Sequence, residues 1–510
     1  MNLDLDMQLK LLKDENSKLK DYIYKLERDS IRLNIEITQE KQKNIQLRNT
    51  LSFRFGNRIV NSKTIGRILS LPFNLYKDYK IFKKEISNKN KVIKNIIKEI
   101  DVSNTMKKFT NNLIEHNKIR IASIMDEFTY ECFKYDCDLL QISPYSWKND
   151  LDQFKPDIVF IESAWNGKDS LWRLKISSLS VELCEIIKFC KDKNIPTIFW
   201  NKEDPVHFDT FLDVAKMVDF VFTTDIDCVP KYKYKLKHKN VYCLPFAAQT
   251  KLHNPIEKYK RKDEVNFAGS YYLRYPQRQI DFDIVFNAVN FYKHVSIYDR
   301  NYNNPHPHYT FPECYKKYII GGLSFNDIDI AYKGYDFGIT INTVKYSQSM
   351  FARRAFELIA CNTLVISNFS RALRNFFGDL VVSSDNEDEL KKILKYIFND
   401  KQYVSKIKLL ALRKVMSEHT YKDRLNFISS VVFDSVLGQK DNVYIFSDVK
   451  NQHEYDIVYS IFEYQSLKNK ILIIIKNNEI IANDDVIEFL NYEEMYNFLI
   501  NNVNSFFGIF

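Results

Sequence analysis

Along the first fifty positions apolar residues recur every seven. Leu5, Leu12, Leu19, Leu26 and Leu33 share one register, and Leu47 rejoins it after a break at Glu40. Four residues after each come Leu9, Asn16, Ile23, Ser30, Ile37, Asn44 and Leu51. Leu opposite Ile or Asn in a heptad is the pattern of a parallel two-stranded coiled coil, where a buried Asn sets register at some cost in stability. The spacing predicts a coiled coil over 1–52 and a homodimer built through it. The simpler reading is one amphipathic helix packed on its own body.

Over 53–118 the pattern becomes a basic amphipathic helical linker. Phe53, Phe55, Ile59, Ile65, Ile68, Leu69, Leu71, Phe73, Leu75 and Tyr76 lie among Arg and Lys, and Pro72 is expected to interrupt any helix there. Such a mixture over 53–100 suits a helix in the headgroup region of an anionic membrane. A solvated helical face is the plain alternative, and nucleic acid is disfavoured as a partner.

From residue 119 short β-branched and aromatic runs alternate with helical stretches. Strands are expected at Arg120–Ile124, Leu139–Ile142, Asp157–Ile161, Thr197–Trp200, Phe220–Thr223 and Val241–Leu244, with a long helix over Leu171–Asp192. A second series runs through Val265–Ala268, Val295–Tyr298, Gly338–Ile341, Thr363–Ser367 and Leu380–Ser383. This alternation is the signature of α/β architecture with parallel sheets covered on both faces. A polar stretch near 247–263 divides the series into two doubly wound, Rossmann-like domains, 119–250 and 264–437. Ligands in such folds sit at the carboxyl ends of the strands, so the site is expected in the cleft between them. A third block, 441–510, opens strand–helix–strand and reads as a partial α/β module. With two or so strands it is expected to need a neighbour, or to be part of something longer.

Composition narrows the chemistry. The chain has 510 residues and only 11 glycines, and it contains neither G-x-G-x-x-G nor a G-x-x-x-x-G-K-[ST] loop. That argues against the glycine-dependent dinucleotide enzymes and P-loop NTPases. The net charge of +9 is unevenly placed: 1–50 carries +1, 51–120 carries +11, and 121–510 is slightly acidic. The eight cysteines include no C-x-x-C pair, and the polar first residues do not resemble an export signal. These features predict reduced thiols and a cytoplasmic protein, peripheral on the inner membrane face if the basic segment binds lipid.

The strongest local signal runs from Ser347 to Ser367. Ser347 or Ser349 is expected to cap a helix whose amino end faces the cleft and binds a diphosphate without a glycine loop. Arg353 and Arg354 would neutralise the departing pyrophosphate, and Glu357 would accept hydrogen bonds from ribose hydroxyls. The plain alternative is an amphipathic helix with a salt-bridged Arg and Glu. On the acceptor side a general base is needed. Asp204 is favoured, with His207 and Glu162 behind it; Asp204 could instead cap a helix before Pro205, and Glu162 with Trp165 could form a sugar-facing wall. D-x-D pairs and His306-Pro-His308 give weak support for a metal, so none is invoked.

The segments RRAFELIACNTLVIS, FFGDLVVSSDNEDELKKILKYIFND and HTYKDRLNFI resemble the donor half of a GT-B glycosyltransferase of the spore-maturation (CgeB-like) branch, related to families 1 and 4. The matching positions are Arg354, Phe356, Glu357, Gly378, Asp379, Glu389, Leu390, His419, Thr420 and Arg424. VNFAGSYYLRYPQR resembles the opening of the same half, which implies Gly269 and Ser270 under the phosphates with Arg278 nearby. In the first domain the resemblance falls on Trp200, Asp204, Asp219, Thr223 and Asp225. The E-x7-E of family 4 is broken, because Ser349 stands eight residues before Glu357, and the glycine usual after the helix is Asn362. The third block is similar to the start of a family 2 (GT-A) glycosyltransferase at Asn451, Ser460, Ile461, Gln465, Ser466 and Asn469, but has Lys476 or Asn477 where an acid is expected.

The resemblance implies transfer of a sugar from a nucleotide diphosphate-sugar to a cell-surface glycan, polymer or protein, with no cofactor beyond the donor. A nucleotide-sugar-binding scaffold without turnover and a GT-B-fold epimerase are the rivals.

Overall fold

The computed structural model describes residues 51–60, 71–99, 118–324, 326–433, 443–465, 470–476, 479–483, 486–502 and 506–508. The heptads of residues 1–50 lie outside these, so the coiled coil and the dimer stay expectations.

The basic segment contributes two helices, Leu51–Val60 and Leu71–Glu99, which pack against each other. Pro72 stands in the first turn of the second, where its missing N–H leaves no intrahelical bond unmade. Asp78 takes a bidentate bond from Arg58, at 2.8 and 3.2 Å. The segment is not a bare linker, because Ile93 and Ile96 pack on the core of the domain that follows. No helix among the described residues is long and apolar enough to cross a membrane.

Two six-stranded sheets follow, parallel throughout. The first is built from β1 (Arg120–Ile124), β2 (Asp138–Gln141), β3 (Ile158–Glu162), β4 (Thr197–Asn201), β5 (Phe220–Thr223) and β6 (Val241–Cys243), in the order β2-β1-β3-β4-β5-β6. The second contains β7 (Lys262–Gly269), β8 (Val295–Asp299), β9 (Ile319–Gly321), β10 (Tyr335–Thr340), β11 (Leu364–Ser367) and β12 (Val382–Ser383), in the order β12-β11-β10-β7-β8-β9. Every residue of β3, β4, β5 and β11 is buried, as helices on both faces require. The chain direction across the sheet reverses between β1 and β3 in one domain and between β7 and β10 in the other. Those are the two places where an open α/β sheet leaves a crevice. Of these twelve strands only β9 went unread in the sequence, being three residues long and half-exposed.

Two places depart from the sequence reading. The helix expected over Leu171–Asp192 starts only at Val181, where Ser180 caps it by accepting from the Leu183 N–H. The ten residues before it are tight turns with Leu174 and Leu179 at positive φ, and they bury Trp172, whose indole donates to the Ile142 carbonyl at 2.8 Å. Within the stretch expected to belong to the second domain, the helix Tyr421–Phe433 packs on the first. Tyr421 packs edge-on to Phe133, Phe427 lies against Phe222, and Arg424 donates to the carbonyls of Pro245 and Phe246 at 2.8 and 3.0 Å. The second domain thus holds the first with a strap.

Residues 429–510 form a second compact unit. It has four parallel strands, β13 (Val443–Asp448), β14 (Lys470–Ile475), β15 (Ile487–Phe489) and β16 (Phe506–Gly508), in the order β15-β14-β13-β16. Its sheet is covered on both faces: Ile445, Tyr455, Phe462, Leu472 and Ile474 form one core, and Ile473, Ile475, Met495 and Leu499 the other. The two or so strands expected here are four, with a core on each face. Asn451, a position of the GT-A-like pattern, caps the helix Gln452–Tyr464 by accepting from the Glu454 N–H.

Candidate functional site

The second sheet's crevice opens where β7 ends at Gly269 and β10 at Thr340. The helix that frames it is Arg354–Ala360, on the connection from β10 to β11. It lies tight on the sheet at Gly338, where a Cβ would stand 2.8 Å from the Leu358 side chain. It stops at Asn362, which stands where glycine is usual and whose φ of +57° is a left-handed turn that asparagine tolerates.

That helix begins five residues later than Ser349, which is a correction. Ser347 donates to the Asp225 carboxylate at 2.6 Å, and its oxygen accepts the Met350 N–H at 2.9 Å. Ser349 accepts from the Ile226 N–H at 2.7 Å and donates to the Thr224 carbonyl at 2.9 Å. Both serines dock their loop on the first domain, and the helix is entered at Arg353 instead of being capped by either of them. The first turn of the helix is instead approached across Arg353 and Arg354.

Two recesses of about 750 and about 320 Å3 flank this turn and share Arg300, Arg353 and Arg354 as walls. Gly269, Tyr332, His253 and Glu357 line the larger, with Phe128 and Lys134 from the first domain. Arg278, Asn342 and Met350 line the smaller, faced by Glu203 and His207. Gly269 is needed as glycine, because a Cβ there would come within 2.9 Å of the Phe267 ring and 3.2 Å of the Arg354 guanidinium.

The arginines are unequal. Arg353 is committed to the protein: it ion-pairs with Glu357 and lies over the Phe128 ring, 3.4 Å from its centroid. Arg278 donates to the Ile341 carbonyl at 2.5 Å and to Thr343 at 3.1 Å, and stacks on Tyr272. Burial, followed by repulsion from Arg354 and Arg300, pulls it down to about 10. Loss of solvent in the recess and repulsion from Arg354 and Arg353 lower Arg300 as well, and it has no side-chain ion pair among the described residues. Arg354 reaches only the Tyr332 hydroxyl, at 3.5 Å. Three guanidiniums that repel one another at a strand end are a site short of negative charge.

Glu357 is 1% exposed. Burial would raise its carboxyl, but Arg353 outweighs this and holds it below the ordinary range. One oxygen accepts from Arg353 and the other from the Tyr332 hydroxyl at 2.5 Å. Each carboxylate oxygen can accept a second bond, so Glu357 keeps acceptor capacity toward the larger recess. The plain Arg–Glu alternative is therefore realised by Arg353 and compatible with a ligand. Ser270 lies beside the crevice rather than in it, its hydroxyl accepting from Asn301 at 3.0 Å.

Of the three proposed bases only His207 reaches the cleft. It lines the smaller recess, with its ring edge-on to Trp165 at 5.0 Å. Asp204 is fully buried and neither faces the cleft nor caps a helix. Asn201 and Tyr232 donate to one of its oxygens, at 2.9 and 3.4 Å, and Thr223 to the other at 2.6 Å. Burial pushes it up to about 7 against those donors.

Glu162 is likewise sealed. It accepts from the Asp126 N–H at 2.8 Å and from Thr129, and lies 3.0 Å from the Lys202 ammonium. Lys202 also pairs with Asp126 at 2.8 Å. Asp126 in turn accepts from the backbone N–H groups of Trp165, Asn166 and Gly167. Trp165 packs on Phe211 and His207, so the sugar-facing wall is not formed by this pair. Burial raises Glu162, and it would lower Lys202 were it not outweighed by Glu162 and Asp126, which leave the ammonium raised. This Asp126–Lys202–Glu162 set fills the first sheet's crevice.

Sequence reasoning missed Arg300, Tyr332, His253 and Glu203. For Arg300 a signal was present, since it follows a strand in the donor half directly. Nothing local marks the others. No cluster of His, Cys, Asp and Glu suited to a metal occurs among the described residues. The eight cysteines are unpaired, with Cys314 the exposed one.

Residues 256–430 match the family described as glycosyl transferase-like. Over 222 residues, 41% of this chain and 67% of the relative, the sequence is 22% identical to spore protein CgeB of Bacillus subtilis strain 168. Among solved structures the chain is similar to sucrose-phosphate synthase from Thermosynechococcus elongatus, at 11% identity and a TM-score of 0.38 over 56% of this chain and 76% of that one. It is also similar to an α-glucosyltransferase in complex with UDP and a 13-mer DNA, at 11% identity and a TM-score of 0.45 over 62% of this chain and 99% of the other.

Proposed function

We infer that this chain, a CgeB-like relative of the GT-B glycosyltransferases, moves a sugar from a nucleoside diphosphate-sugar to a hydroxyl on a glycan, polymer or protein. The observation that carries the reading is the open crevice at β7 and β10, where Arg278, Arg300 and Arg354 meet without a matching set of carboxylates. A diphosphate supplies the missing charge, and it gains more as the sugar leaves, because charge then builds on its terminal oxygen in a site already polarised to receive it. Glu357, fixed by Arg353 and Tyr332, would hold the ribose in the larger recess. His207 lines the smaller recess with Arg354 and would take the proton of the acceptor hydroxyl as a general base. Glu203 beside it would orient the acceptor.

Calorimetric titration with UDP and a panel of nucleotide sugars tests the reading. Binding is expected in the wild type and is expected to fall at least tenfold in Arg300→Ala, with unchanged thermal stability because that side chain has no ion pair among the described residues. Equal affinity in both proteins would remove the assignment. His207→Gln is expected to bind donor normally and to lose roughly 100-fold or more in transfer rate, while Glu203→Gln changes acceptor affinity first.

A further inference from the structure

The helix Leu71–Glu99 has two faces of different character. At roughly 100° per residue, the half-buried positions Asn74, Leu75, Asp78, Phe82, Ile93 and Ile96 fall on one side. Ile93 and Ile96 press into the first domain's core. On the opposite side Lys77, Lys80, Lys83, Lys84, Lys91 and Lys94 fall within about 120° of one another. All six are exposed, and none has a carboxylate partner among the described residues. Asp78 lies off this stripe and is occupied by Arg58. Phe73 and Tyr76, 71% and 56% exposed, begin the same lysine face, with Lys80 5.2 Å from the Tyr76 ring. The stripe extends about 26 Å at the helical rise.

We propose that the lysine face of Leu71–Glu99 is a docking surface for an anionic lipid bilayer, with Phe73 and Tyr76 set into the headgroups at one end. Three features favour lipid over other polyanions. The charge is straight and single-signed, so it meets a plane as well as a groove. The cations are all lysines, point charges without the guanidinium forks that read individual phosphates. Two exposed aromatic rings accompany them, which an interfacial helix buries and a polyelectrolyte contact leaves in water. Because the opposite face is packed on the domain, the helix meets the bilayer without leaving its seat. The proposal is independent of the nucleotide cleft, none of whose residues belongs to this helix.

The test is flotation of the full chain with phosphatidylcholine vesicles, with and without phosphatidylserine, at about 0.1 M salt, where exposed charges still act over a Debye length of roughly 10 Å. The wild type is expected to float with the anionic vesicles only and to be released by added salt. Replacing Lys80, Lys84 and Lys91 together by Glu is expected to lower partitioning at least ~100-fold, since each lysine near the surface is worth about fivefold. Phe73→Ser with Tyr76→Ser is expected to weaken binding by a smaller factor and to leave the salt dependence in place. UDP titration of each variant shows that the fold and the cleft are intact. Equal flotation with neutral vesicles, an unaltered lysine-to-glutamate variant, or tighter binding to a soluble duplex DNA than to anionic vesicles would overturn the proposal.

Discussion

The two parallel sheets reverse direction at comparable places, β1/β3 and β7/β10, and each reversal puts polar residues at the carboxyl ends of buried strands. In the first, Asp126, Lys202 and Glu162 close on one another and on the backbone of residues 165–167. In the second, Arg278, Arg300 and Arg354 line open recesses, and the buried carboxylate beside them, Glu357, is tied to Arg353. One crevice is neutralised from within, while the other holds guanidiniums that repel one another. A shared topology supplies the place for a site, and whether a site exists depends on how its charges are satisfied.

The comparison breaks most sharply at Lys202. Lys202→Met leaves Glu162 and Asp126 without their cation and is expected to cost about 3–5 kcal/mol, read as a large fall in the denaturation midpoint. Asp204 belongs to the same closed domain. Its carboxyl is raised to about 7 when folded, against about 3.9 when unfolded. Its contribution to stability is therefore complete below about pH 4 and lost as pH rises through 7. Relative to Asp204→Asn, the wild type is expected to lose melting temperature steadily from pH 4 to 7, and parallel pH profiles would show that this carboxyl does not hold its proton.

In the open crevice the effects fall on ligand rather than fold. Arg354→Ala is expected to weaken UDP binding by about 1.5–3 kcal/mol, the worth of hydrogen bonds to a charged group, with little change in melting temperature. Ser349→Ala is expected to be the mildest, costing about 1 kcal/mol in stability and only severalfold in UDP affinity, since this serine joins the two domains through Ile226 and Thr224. A loss as large as that of Arg354→Ala would restore Ser349 to the binding site.

Much of the architecture was legible because it follows from short-range pattern. Buried parallel strands must be apolar throughout, so runs such as Ile158–Glu162 and Leu364–Ser367 stand out from the amphipathic stretches between them. Asn362 was legible for the same kind of reason, as one of the few residues that tolerate a left-handed turn. Legibility failed where a local signal had a competing partner. Ser349 looked like a cap and found Ile226 and Thr224 instead. Leu171–Asp192 looked like one helix, and Trp172 took its first ten residues into turns by finding a buried carbonyl.

By itself the sequence determined the alternation of strand and helix, the division into two doubly wound domains, and the stock of arginines and carboxylates near their strand ends. Only the tertiary structure decided which of those charges are spent. Lys202 meets Asp126 across 76 positions and Ser349 meets Ile226 across 123, separations at which chain pattern carries no information. Whether a polar side chain serves the fold or a ligand turns on which groups stand within hydrogen-bonding distance once water has been removed.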